Sequence, residues 1–188
     1  MCIAVVAAFA LTGCRLDILW DHAKRSRSPG ASAVNAPRDF FDAYVKPAIA
    51  DCESDPGAVH RAVSALCHID ALAEEVWHAK PQIATSSSAY RTALKGKLVE
   101  LAYAWDVHDI HKHGTLTRRT PVLPNGRRPE VVQVERAFDP EVFDPNVFDV
   151  GGPMVILTLQ DGKQIAAIDV MRTCAQWWSQ ELAALGWA

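Results

Sequence analysis

The chain has 188 residues, of which 49% are hydrophobic and 22% charged, and its formal net charge is −3. Those values describe one globular domain able to bury about 70% of its unfolded surface, and they exclude a global electrostatic signal for nucleic acid or an anionic membrane. The five cysteines (Cys2, Cys14, Cys52, Cys67 and Cys174) are widely spaced, with no CxxC or Cys/His finger pattern, which argues against a structural zinc site and makes a reduced, cytoplasmic setting the default.

In chain order, "MCIAVVAAFALTGC" comes first. Its Leu-Thr-Gly-Cys ending resembles a bacterial lipobox and makes Cys14 a candidate for acylation and membrane anchoring. No Lys or Arg precedes the apolar run, so the basic start of a signal segment is missing. The run also falls short of the about 20 residues that span a bilayer. Residues 23–37, "AKRSRSPGASAVNAP", are small, polar and basic, and read as a linker. The expected division is therefore 1–37, an apolar segment and linker, and 38–188, a folded domain.

Helical spacing of Phe40, Phe41, Tyr44, Val45 and Ala48 predicts a first helix, kinked by Pro47 because its ring displaces the carbonyl four residues back. A second helix follows, with Asp55 as cap, Pro56 in the first turn, and Val59, Val63, Leu66, Ile69, Ala73 and Val76/Trp77 as its apolar stripe. The third predicted helix runs as one rod through "TSSSAYRTALKGKLVELAYAWDVHDIHKHG". Ser87 or Ser88 caps it, Leu94, Leu98, Leu101 and Trp105 mark its buried face, and Gly114 stops it in a left-handed conformation. "EVVQVE" has the β propensity of a short strand. The echoed Phe-Asp motifs at Phe138, Phe143 and Phe148 read as an extended loop pinned by its phenylalanines. "MVILTLQDGKQIAAIDV" reads as a hairpin turning at Asp161-Gly162. A closing helix follows, capped by Asp169, with Val170, Cys174, Trp177/Trp178 and Leu182 facing inward. The fold class is mainly α: an up-and-down helical bundle with a small C-terminal β-hairpin and a closing helix.

Titratable chemistry concentrates in "WDVHDIHKH", residues 105–113. His108 and His111 are one turn apart and form one candidate metal pair; Asp109 and His113, four apart, form another. Neither is the HExxH motif, and further ligands would have to come from His60, His68 or Asp70. Against this stands a simpler reading, in which cationic side chains at a helix C-terminus gain about 0.3–1 kcal/mol each from the helix dipole. Beyond the helix the charges segregate. From His111 to Pro129 there are five basic residues and no acid; from Glu130 to Asp149 there are six acids and one arginine. Lys112, Arg118, Arg119, Arg127 and Arg128 are the candidate phosphate contacts. The serines form no nucleophile elbow and no glycine-rich phosphate loop occurs, so no cofactor is expected.

"WDVHDIHKHGTLTRR" resembles the helical-bundle proteins of the HEPN class, as do bacterial proteins that carry an aspartate, a Lys-His and a following leucine before a β-hairpin and a Trp-bearing helix. Asp106, Lys112, His113 and Leu116 match that pattern, as do Asp161-Gly162 and Trp177-Trp178, over roughly residues 38–186. The resemblance implies a helical bundle, and in active members an Arg-x4–6-His motif that cleaves RNA without metal. Here Asp106 stands six intervening residues before His113, where that arginine belongs, and Arg91 is far away in sequence. The expectation is accordingly a non-catalytic domain that binds a protein partner or RNA through the basic loop, with a homodimer left open. The alternatives are a metal hydrolase or degenerate ribonuclease using His108, His111 and His113 with Asp106 and Asp109 (His113 as the acid–base group), and a lipid-anchored binding module.

Overall fold

A computed structural model describes residues 36–116, 120–135 and 151–187. It is mainly helical with a small antiparallel sheet, as the sequence predicts. The lipidation candidate Cys14, the candidates Arg118 and Arg119, and the three phenylalanines of the echoed loop lie outside the described residues.

The first predicted helix is three pieces: α1 (Ala36–Phe40), a π turn (Phe41–Val45) and α2 (Lys46–Ser54). Pro47 is the cause. It has no N–H to give to the carbonyl four residues back, and just before it the Lys46 N–H bonds instead to the Phe41 carbonyl, five residues back. Helix α3 (Val59–Ala79) starts later than its sequence signature suggests. Asp55 ends α2 rather than capping α3, and its carbonyl accepts the Ala58 N–H to close the connecting turn. Gly57 is needed there, because a Cβ would come within 2.7 Å of the Pro153 ring. The Pro56 carbonyl accepts the Val155 N–H and joins this turn to the sheet.

The third predicted helix is two: α4 (Ser87–Lys97) and α5 (Glu100–His113). Leu98 is extended, at φ −147° and ψ 115°. The break follows Gly96, which weakens a helix by about 1 kcal/mol relative to alanine, and precedes the β-branched Val99. Its N-cap is Ser86, whose hydroxyl accepts the Ala89 N–H at 3.1 Å; Ser87 and Ser88 already lie within the helix. Gly114 ends α5 at φ 74°, as expected, and its N–H bonds to the Ile110 carbonyl.

Strand β1 (Glu130–Val134) pairs antiparallel with β2 (Gly152–Thr158), which pairs antiparallel with β3 (Gln164–Ala166). The sheet therefore has three strands in the order β1-β2-β3, the predicted hairpin joined by the short strand predicted at EVVQVE. Its β2–β3 turn is longer than a two-residue one. Leu159 N–H bonds to the Lys163 carbonyl, and Gly162 takes φ 84°, the three-residue hairpin with a left-handed glycine. Helix α6 (Ala167–Ala184) closes the bundle. Asp169 sits in its first turn, favourable to the helix dipole, but makes no side-chain cap.

The core gathers Phe41, Leu66, Ile69, Leu72, Leu94, Val107, Leu157 and Trp178 from every layer. Cys174 is fully buried, as its helical position predicts. The chain's end is fastened by Lys80, whose ammonium bonds to the Leu185 carbonyl and lies 4.8 Å from the centre of the Trp187 ring. Only two charged residues among the described ones are buried, Asp70 and Asp106. Each needs a reason, because an uncompensated buried carboxylate costs several kcal/mol. Those reasons define the site.

Candidate functional site

Asp70 projects from α3 within its buried arc, and one oxygen serves two helices. His108 Nδ1 on α5 donates to Asp70 Oδ2 at 2.6 Å, and an Arg91 terminal nitrogen on α4 reaches the same oxygen at 3.2 Å. Arg91 also approaches Glu74 at 3.5 Å. Its guanidinium lies 5.7 Å from the centre of the Trp105 ring, over which Lys95 sits at 3.8 Å. The pairing neutralises the carboxylate and ties three helices together at one point. Asp109 lies nearby and half-buried. Burial and the Asp70 charge push its pKa up, opposed by His108, Arg91 and His113. The Cys67 thiol is pushed up to about 12 by burial and Asp70, so it is no nucleophile at neutral pH.

A small cavity beside this node is lined by Asp70, Arg91, Trp105, Ile69, Ala73, Leu94 and Leu101, and has room for about one water molecule.

Asp106 is the second buried carboxylate and is fully enclosed. Its Oδ2 accepts the backbone N–H groups of Val122 at 2.6 Å and Leu123 at 2.9 Å. The same loop is held from three other directions. Leu116 N–H donates to Asn125 Oδ1, Gln160 N–H donates to the Val122 carbonyl, and the Leu123 side chain is buried. Asp106, expected as a catalytic group, thus occupies a structural position and reaches no exposed surface.

The remaining candidates form the outer tip. His111, Lys112 and His113 are all exposed at the end of α5, and Arg127 and Arg128 are exposed on the pinned loop. Arg127 is paired with Glu130 at 2.6 Å; Lys112 and Arg128 carry no ion pair among the described residues. His108 and His111, the candidate metal pair, are separated in environment: one ring bonds inward to Asp70, the other faces solvent. His60 is exposed and His68 packs against Phe40 and Tyr44. Among the described residues no group of three or more His, Cys, Asp or Glu side chains is placed to hold a metal ion, and no helix is long and apolar enough to cross a membrane.

Arg91 is the residue that sequence reasoning passed over, since a separation of 17 positions from His108 hides a pairing that the α4–α5 break creates. The available signal was Asp70 itself, an acid inside an apolar arc, which requires a cation from a neighbouring helix.

No protein-family model, no curated protein and no solved structure matches this chain.

Proposed function

We propose that this chain is a non-catalytic, HEPN-like helical domain that binds RNA by its phosphates through the basic end of α5 and the loop behind it. One observation carries the reading. The buried Asp106 fixes the loop against α5, so Lys112 and Arg128 stand on a fastened support and, among the described residues, without carboxylate partners. A preorganised cation loses little entropy when it meets a phosphate, and phosphate contacts supply most of the affinity for nucleic acid without reading sequence.

The test is fluorescence anisotropy with a short labelled RNA at two salt concentrations. Binding that weakens with salt, and weakens about tenfold in the Lys112→Glu/Arg128→Glu double variant with a shallower salt dependence, is the expected result. Affinity indifferent to both salt and charge reversal rules the phosphate reading out and points to a protein partner.

A second reading draws on the 2.6 Å Asp70–His108 bond. A carboxylate that orients an imidazole is the arrangement of a general base, and Arg91 stands beside it. The water-sized cavity weighs against it. Incubating RNA with wild type, His108→Ala and His113→Ala decides the matter: cleavage lost in His108→Ala alone supports this reading, and equal products or none removes it.

A further inference from the structure

Arg127 sits next to Arg128 in the loop behind α5 but differs from it in having a partner. A terminal nitrogen of Arg127 donates to Glu130 Oε1 at 2.6 Å, at the start of β1. The Thr158 hydroxyl, at the end of β2, donates to that same oxygen at 3.2 Å. Antiparallel pairing sets Glu130 opposite Ile156 and so brings Thr158 within reach. The sheet therefore holds the carboxylate in place independently of the arginine. Both members of the ion pair stay open to water, with side chains 45% and 42% exposed.

The backbone carries Arg127 to the end of α5. Its N–H bonds to the Pro124 carbonyl at 3.1 Å and Gly126 takes φ 73°, so residues 124–127 form a tight turn. That turn lies against the helix end. A Cβ on Gly126 would stand 3.6 Å from the Gly114 carbonyl oxygen, and the Asn125 side chain receives the Leu116 N–H at 2.6 Å. Gly114 caps α5 two residues after Lys112. Direct contact thus brings the root of Arg127 beside the segment that carries Lys112, with Arg128 next along the chain.

A guanidinium that donates to a carboxylate oxygen makes the same charge-assisted bond that it makes to a phosphate oxygen. Exchange of one for the other disturbs the fold little, because an exposed pair contributes little to stability and Glu130 keeps the Thr158 hydroxyl. We infer that Arg127 is a third phosphate contact of the tip and that Glu130 competes with RNA for it, so that this carboxylate holds the affinity of the site down. The inference rests on the RNA-binding reading above and adds the residue that limits binding. Repulsion of phosphate by the Glu130 charge would act with or without Arg127; competition passes through Arg127, and the two are thereby separable.

The experiment is a double-mutant cycle on RNA affinity. Wild type, Glu130→Gln, Arg127→Ala and the double variant are titrated with a short labelled oligouridine at two salt concentrations, with Lys112→Glu alongside. Glutamine removes the charge and keeps an oxygen for the Thr158 hydroxyl. Both positions are exposed, so the variants fold as wild type does, which far-UV circular dichroism checks. Glu130→Gln is expected to bind about fivefold more tightly than wild type, with a salt slope steeper by about one. Arg127→Ala is expected to weaken binding less than about twofold when Glu130 is present and about tenfold in the Glu130→Gln background. Equal affinity of Glu130→Gln and wild type overturns the competition. So does an equal loss from Arg127→Ala in both backgrounds, the result that repulsion alone gives. In either case a Lys112→Glu that binds more weakly leaves the tip standing. A Lys112→Glu that binds as wild type does, or a wild type that binds no oligouridine at low salt, removes the tip reading and the competition with it.

Discussion

His108 and His113 stand five residues apart on α5, yet they belong to different kinds of chemistry. His108 turns into the bundle and shares a buried carboxylate oxygen with an arginine from another helix. His113 ends the helix in solvent beside Lys112. The inner node is costly to disturb at Asp70, because removing it takes away the carboxylate that Arg91 and His108 share. At the outer tip every group is hydrated in both the folded and unfolded chain, so the fold is indifferent to it. The same residue type thus holds the fold together at one position and is available to a ligand one helical turn later.

Each half of that comparison can be broken separately. The largest expected effect belongs to the two buried aspartates. Asp70→Ala strands Arg91 and His108, and Asp106→Ala strands two loop amides; each is expected to lower unfolding free energy by about 3 kcal/mol, read from urea denaturation. Asp106→Asn retains an acceptor oxygen for one amide and falls between wild type and Asp106→Ala. His108→Ala follows at about 1–2 kcal/mol, since Arg91 still compensates Asp70.

His68 gives the contrast a pH dependence. Its pKa is lowered in the folded chain, by burial first and by His108 second. The unfolded chain therefore takes up the proton first. Stability contributed by the neutral ring is present above the unfolded value near 6.5 and declines as pH falls through and below it. The loss in melting temperature between pH 7.5 and about pH 5.5 should be smaller in His68→Phe, which preserves the ring contacts with Phe40 and Tyr44 and removes the titration. An identical decline in both proteins contradicts the assignment. The smallest effects belong to the tip: Lys112→Ala and His113→Ala are expected within about 0.5 kcal/mol of wild type in the same denaturation assay.

Much of the fold was legible because apolar periodicity reports burial directly. The stripe from Leu66 to Val76 on α3, the inward Cys174 and Trp178 on α6, and the left-handed Gly114 follow from local rules. Misjudged positions were those where a non-local partner or a neighbouring residue decided the outcome. Ser86 caps α4 where Ser87 or Ser88 fits the composition as well, and a choice among adjacent serines depends on backbone geometry. The break at Leu98 has only Gly96 to announce it, and an isolated glycine is often tolerated within a helix. Partnering of β1 with β2 bridges residues far apart in sequence, which no local pattern records. The site shows the same division. Exposure of Lys112 and His113 was readable from their place after the last apolar residue of a helix, whereas the Asp70–Arg91 pairing was not, because it requires α4 and α5 to be separate rods.

The most direct measurement pairs two readouts on two variants: unfolding free energy and RNA affinity for His108→Ala and Lys112→Glu. The account predicts that His108→Ala loses stability and keeps its affinity for RNA, while Lys112→Glu keeps its stability and loses about tenfold in affinity. A folded His108→Ala that no longer binds, or a Lys112→Glu that binds as wild type does, would contradict it.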